Sequence, residues 1–263
     1  MATFILIHGA WHGGWCWERI VPLLEKQGHR VLAPDLPGMG KDHTPLAEIT
    51  LDRWAQFVAD LIAQQDEKVI LVGHSRGGIV ISQAAEYAAK HIQGLIYLAG
   101  FLIPNGETSM ETLQRHPPGP ERPIDFVFSS DQSTATVTAE SVRENFYNTT
   151  SDIWIERAKS QLGAEPMISY KTPLRLTEAG FGQVPRAYIE CLQDRAIPIS
   201  LQRSMLSALP CEHVVTLDTD HSPFYSAPEI LVSQLTELAT LFWEMNNQNI
   251  EDDYSSLSIT PRR

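Results

Sequence analysis

Short apolar runs alternate along the chain with longer segments in which apolar residues recur every three or four positions. The runs "TFILIHG", "HRVLAPD", "KVILVG" and "IQGLIYLAG" are nearly continuous in apolar character, as strands covered on both faces of a sheet must be. Between them lie "WERIVPLLEKQ", "LDRWAQFVADLIAQQ" and "GGIVISQAAEYAAKH", which read as helices. In the second, Leu51, Trp54, Phe57, Val58, Leu61 and Ile62 fall on one stripe. This order predicts a parallel α/β sheet with right-handed crossovers.

From Pro104 to Gln183 the alternation stops. "HPPGPERP" is rich in turn residues, and "ESVRENFYNTTSDIWIERAKSQLG" and "EPMISYKTPLRLTEAGFG" read as short helices joined by loops. The sheet pattern returns in "VPRAYIECLQD" and "EHVVTLDTD", separated by a helix near "ISLQRSMLSALP" and followed by "APEILVSQLTELATLFWEM". The division expected is a core of residues 1–103 and 184–245 and a mainly helical cap at 104–183. The polar, aperiodic tail 246–263 is expected to be mobile.

A chain of 263 residues with 43% hydrophobic content is long enough to bury roughly three quarters of its unfolded surface in one large domain. Its net charge of -12 excludes the basic footprint that nucleic acid binding requires. The apolar run after the N-terminus is too short for a signal peptide or a spanning helix, so neither a membrane nor nucleic acid is expected as a partner. Cys16, Cys191 and Cys211 have no metal-ligand spacing and are odd in number, which suits a reduced, cytoplasmic protein without structural disulfides. No phosphate loop, metal cluster or nicotinamide fingerprint is present, and neither a metal nor a cofactor is expected. The oligomeric state, monomer or homodimer, is left open.

Candidate chemistry begins at "GHSRGG". Gly73-His74-Ser75-Arg76-Gly77 fits the G-x-S-x-G elbow, in which a serine on a tight strand-to-helix turn projects above a sheet. The preceding apolar strand and following helix supply the required context. A serine hydroxyl becomes a competent nucleophile only beside a base, and the base needs an acid to hold its tautomer. His221 stands between the last strand and the last helix, whereas His91 and His116 read as surface residues and His213 as the start of a strand. Asp194 follows the strand Ala187 to Leu192. Asp218 and Asp220 share the His221 loop and would need a sharp reversal to reach its ring, and Glu190 should point into or beneath the sheet. For the oxyanion, one amide is expected from Arg76, the residue after the nucleophile, and the other from Ala10 in "HGAWHGGWCW". In that loop Trp15 and Trp17 are expected to pack beneath the backbone, while His12 either lines the pocket or satisfies the loop.

The set "HGAWHGGWCWERIVPLLEKQGHRVLAPDLPGMG", "GHSRGG", "IYLAGFLIPNG", "YIECLQDRAIPISLQ" and "DHSPFYSAPE" resembles the α/β-hydrolase superfamily. Within it the chain looks like the branch of plant methylesterases, hydroxynitrile lyases and bacterial esterases such as pyrethroid hydrolases. The resemblance covers the core well and the cap loosely. It implies an α/β-hydrolase fold with about six mostly parallel strands, Ser75, Asp194 and His221 as a triad, and Ala10 and Arg76 as oxyanion donors.

Several reactions share that constellation. The lyases of this branch carry Thr, Glu and Lys where this chain has Ala10, His74 and Ser222, and without that lysine only Arg76 offers a charge for departing cyanide. A carboxylic ester, cleaved through an acyl-enzyme, is therefore the expected substrate. Lactone hydrolysis, cofactor-free haloperoxidase chemistry, hydroxynitrile-lyase-like C–C cleavage and a non-enzymatic small-molecule receptor are the alternatives. Trp11, His12, Leu102, Trp154 and Phe224 are candidates for substrate contact, with Phe126, Phe128, Phe146 and Tyr147 of the cap adding to an apolar pocket. The Arg76 side chain poses its own question, because a cation at a helix N-terminus opposes the macrodipole. Either a carboxylate of the cap or of a core loop pairs with it, or it lines the pocket and meets a polar part of the substrate.

Overall fold

The computed structural model describes residues 1–116 and 124–256, with side chains as far as Asn247. The core strands are β1 (Thr3–Ile7), β2 (Arg30–Leu32), β3 (Val69–His74) and β4 (Ile92–Leu98), and the cap strands are β5 (Phe126–Phe128), β6 (Thr134–Val137) and β7 (Glu165–Pro166). The core closes with β8 (Arg186–Cys191) and β9 (His213–Leu217). The principal helices are α1 (Val21–Lys26), α2 (Leu51–Ala63), α3 (Gly77–Ala88), α4 (Ser109–Arg115), α5 (Asp152–Lys159), α6 (Ile199–Ala208) and α7 (Pro228–Ser256). The core sheet is six-stranded in the order β2-β1-β3-β4-β8-β9, and every pairing in it is parallel.

The most apolar run makes the central strand: all residues of β3 are buried, because helices cover both faces. In α2, Leu51, Trp54, Val58 and Ile62 face the core, and the Thr50 side chain accepts the Arg53 N–H to cap the first turn. Strand order reverses between β1 and β3, so the chain leaves their carboxyl ends in opposite directions and opens a crevice there. Ile7 at the end of β1 pairs with Gly73 near the end of β3, which brings the loops holding Ala10 and Ser75 together. Cys191 pairs with Leu217 in the same way, so the loops holding Asp194 and His221 also emerge side by side.

Helices predominate among the described cap residues, as expected, and β5, β6 and β7 add a three-stranded antiparallel sheet that periodicity did not predict. Runs as short as "FVF" and "TATV" carry too few residues for periodicity to distinguish strand from helix or loop. The backbone of the expected tail stays helical in α7 to Ser256, and residues 257–263 lie outside the described residues. Helix propagation adds a hydrogen bond for each residue ordered once the buried stripe through Leu235, Leu238 and Phe242 has nucleated it. Among the described residues, no helix is long and apolar enough to cross a membrane.

Candidate active site

Ser75 sits between β3 and α3 with φ at 52°, in the left-handed region that a non-glycine residue adopts only under local constraint. That constraint comes from close packing on both sides. A Cβ on Gly77 would stand 2.7 Å from the Ile7 carbonyl oxygen, and one on Gly73 would stand 2.8 Å from the Gly77 carbonyl oxygen. The bond from the Phe101 N–H to the Ser75 carbonyl, at 3.0 Å, ties the elbow to the segment after β4.

His221 is buried, and its Nδ1 lies 2.7 Å from Asp194 Oδ2. Asp194 Oδ1 accepts the N–H groups of Ala196 and Ile197, both at 2.8 Å, and Gln202 Nε2 donates to Oδ2 at 3.2 Å. Burial pushes the Asp194 carboxyl up from its usual range, while His221 and those two amides pull the other way. Donors converging on both oxygens are what an ionised carboxylate requires. With its Nδ1–H donated to Asp194, His221 keeps Nε2 as the atom able to take a proton. The rivals are occupied elsewhere. Glu190 pairs with Arg203, Asp218 accepts from Gln193, and Asp220 holds Ser222 and Ser226 on its own loop and Thr149 and Thr150 of the cap.

Three further histidines stand around this pair, each in one tautomer. His8 donates its Nδ1–H to the Gly9 carbonyl and accepts the Leu36 N–H on Nε2. His12 donates Nδ1–H to the Ala10 carbonyl at 2.6 Å and accepts the Tyr147 hydroxyl on Nε2. His74 donates Nε2–H to the His221 carbonyl at 2.8 Å, which ties the His221 loop to the residue before Ser75. Neither the Ala10 nor the Arg76 amide is engaged by a backbone acceptor among the described residues.

A cavity of about 210 Å³ opens at Ser75. Its walls are Trp11, Phe101, Met110, Leu113, Ile124, Phe126, Phe128, Phe146, Met167, Tyr170, Ala196 and Ile197, without a charged side chain among them. Among the described residues, no group of His, Cys, Asp or Glu is arranged to hold a metal ion.

The model of the alpha/beta hydrolase family matches residues 4–234, which span the elbow, the acid and the histidine. The chain belongs to that family. A pyrethroid hydrolase of Sphingobium wenxiniae is 34% identical over 251 residues, covering 91% of this hydrolase and 88% of that protein. Methylesterase 3 of Arabidopsis thaliana is 32% identical and covers 90% of this chain and 96% of its own length. The crystal structure of a pyrethroid hydrolase from Sphingobium faniae superposes with a TM-score of 0.81 at 32% identity, covering 91% of this chain and 97% of that one.

The hydrolase does not place every expected pocket residue at the cavity. Trp11, Phe126, Phe128 and Phe146 line it. His12, stacked on Trp15, and Tyr147 spend their polar atoms on the loop and on each other. Phe224 is fully buried against Trp17 and His74. Trp154 packs on Tyr225 and beneath the Arg19 guanidinium, and Leu102 borders a different cleft with Glu107 and His116. Sequence reasoning missed Met110 and Leu113, whose spacing places them on one face of α4, and it missed Ile124 and Met167 in segments with no periodic signal.

Arg76 is the clearest departure. It is fully buried and pairs with Glu165 of β7, Nε to Oε1 at 2.9 Å and Nη2 to Oε2 at 3.4 Å, while its Cζ lies 4.0 Å from the centre of the Trp54 ring. Burial pushes the Glu165 carboxyl up, and the Arg76 charge opposes that. Of the two roles open to this side chain, the ion pair to the cap is the one present, and the guanidinium does not line the cavity.

The neutral histidines carry a pH dependence. Burial lowers the pKa of His12 from 6.5 to about 4, and burial lowers those of His8 and His74 in the same direction. The unfolded chain takes up protons between pH 6.5 and 4 that the folded chain refuses, so this stability is complete above about pH 6.5 and drains as pH falls. For His12 alone the expected loss is about 3 kcal/mol at pH 4. Urea midpoints measured at pH 7 and pH 4.5 should fall accordingly, and fall less for His12→Gln. Equal slopes in the two proteins would contradict this account.

Proposed function

We propose that this hydrolase is a carboxylesterase that cleaves small esters with an apolar acyl or alcohol group through an acyl-Ser75 intermediate. The observations that support it most are the buried His221–Asp194 hydrogen bond and a serine held at positive φ on the wall of an apolar cavity. In the first step Ser75 Oγ adds to the ester carbonyl carbon as its proton passes to His221 Nε2. The carbonyl π pair moves onto oxygen, where the Ala10 and Arg76 amides receive it. Collapse breaks the bond to the alcohol oxygen, which leaves with the proton from His221. Water, deprotonated by His221, then attacks the acyl carbon, and the carboxylic acid and free Ser75 result.

The apolar walls bind the group that distinguishes one ester from another, and they desolvate the carbonyl as they do so. Elimination of cyanide has no support here, because the Arg76 charge that could have stabilised the leaving anion is committed to Glu165. The setting proposed is the cytoplasm, in keeping with three unpaired thiols. The test is a serine-directed fluorophosphonate label located by mass spectrometry, together with turnover of p-nitrophenyl esters of increasing acyl length. The expected result is modification at Ser75 and faster hydrolysis of butyrate to octanoate than of acetate. Absence of the label on Ser75 in a folded, freshly purified sample would overturn the proposal.

A further inference from the structure

We infer that the buried Arg76–Glu165 ion pair is the positioning device of the oxyanion hole, aiming the Ala10 amide and making that aim depend on the seated cap. The inference rests on the oxyanion roles of the Ala10 and Arg76 amides proposed above.

Arg76 reaches both halves of the hole. Its main chain carries one donor, and its Nη2 folds back to donate to the Gly9 carbonyl at 3.1 Å. A trans peptide is a rigid plate on which the carbonyl of Gly9 and the N–H of Ala10 point in opposite directions, so holding that oxygen sets the direction of that hydrogen. His8 Nδ1 holds the same oxygen at 2.9 Å. The next plate is also gripped at both ends: His12 donates to the Ala10 carbonyl, and the Trp11 N–H donates to Glu165 Oε2 at 3.2 Å. Glu165 therefore holds the oxyanion loop directly through Trp11 and indirectly through Arg76.

Trp11 itself needs holding, because its φ of 62° is one a bulky side chain seldom adopts. Its other ties also run to the cap. The Gly163 N–H donates to its carbonyl at 2.9 Å, and its indole Nε1 donates to the Ala135 carbonyl at 3.0 Å. A strained conformation persists only where its surroundings over-determine it. Here those surroundings are cap backbone and one cap carboxylate. An apolar residue at position 76 would spare the molecule a buried charge, but it could not reach the Gly9 oxygen.

The test is the double variant R76M/E165M. Removing one partner strands a buried charge, whereas replacing both by apolar residues of similar volume is often neutral for stability. A folded variant with near wild-type Tm is expected to lose about tenfold to a hundredfold in kcat on p-nitrophenyl butyrate, less than deleting a donor outright. KM should stay within about threefold, because ground-state binding uses the apolar walls. Affinity for an aryl trifluoromethyl ketone should fall in parallel with kcat, since addition of Ser75 Oγ to its carbonyl, with the proton passing to His221, leaves an oxyanion in the hole. Wild-type kcat or wild-type ketone affinity in the folded variant would overturn the inference, as would a loss carried by KM alone. Should R76M/E165M not fold, R76L/E165L is read by the same outcomes. Fluorophosphonate labelling of the wild type separates the two levels. No label on Ser75 removes the esterase reading itself, whereas a labelled wild type with an unimpaired double variant sinks only the positioning role.

Discussion

Ser75→Ala is expected to lower kcat for an aryl ester by about four to six orders of magnitude while leaving the folded state intact. The loss is large because, among the described residues lining the cavity, the one other hydroxyl is that of Tyr170, which burial holds protonated. Stability should change little. Ser75 is nearly buried already, and alanine at φ 52° meets the same backbone strain as serine. Circular dichroism and a thermal melt establish the fold, and a discontinuous assay of ester consumption measures the rate. Turnover above about one per cent of wild type in a variant free of wild-type contamination would remove Ser75 from the mechanism.

Asp194→Asn is expected to cost about 10⁴-fold in kcat near neutral pH. The geometry states why an isosteric change should be so damaging. Asp194 Oδ1 accepts two backbone N–H groups, so an asparagine must turn its carbonyl oxygen to that side and its NH₂ toward His221. An NH₂ facing Nδ1 requires Nδ1 to accept. The ring then carries its proton on Nε2, where Ser75 needs a base. Gln202, which donates to Oδ2, would also meet a donor and lose that contact. The measurement is kcat against pH for wild type and variant together with a Tm for each. A loss of less than tenfold with an intact fold would show that another group orients His221.

The core and its candidate site were legible for a shared reason. The parallel strands are buried on both faces and so read as continuous apolar runs, and the elbow advertises itself because only glycine tolerates the approach of Gly73 and Gly77 to backbone oxygens. Asp194 and His221 were singled out as candidates by their positions just beyond strands that the topology makes neighbours. The pocket was less legible. Phe224 and Tyr147 have the composition of a substrate-contacting aromatic, but aromatics are equally suited to core packing, and only the packed structure distinguishes the two.

Residue types and spacing by themselves determined the parallel core and the turn at Ser75, and they singled out Asp194 and His221 as candidates for its acid and base. These depend on local periodicity and on chain order, both written along one dimension. The tertiary structure alone decided what Arg76 meets. Its charge left open a counter-ion or a place in the pocket, and the partner it meets lies 89 positions away in a two-residue strand with no signal of its own. An ion pair between distant segments leaves no mark on the periodicity of either, so only folding the cap onto the core could reveal that Glu165 answers the cation beside the nucleophile.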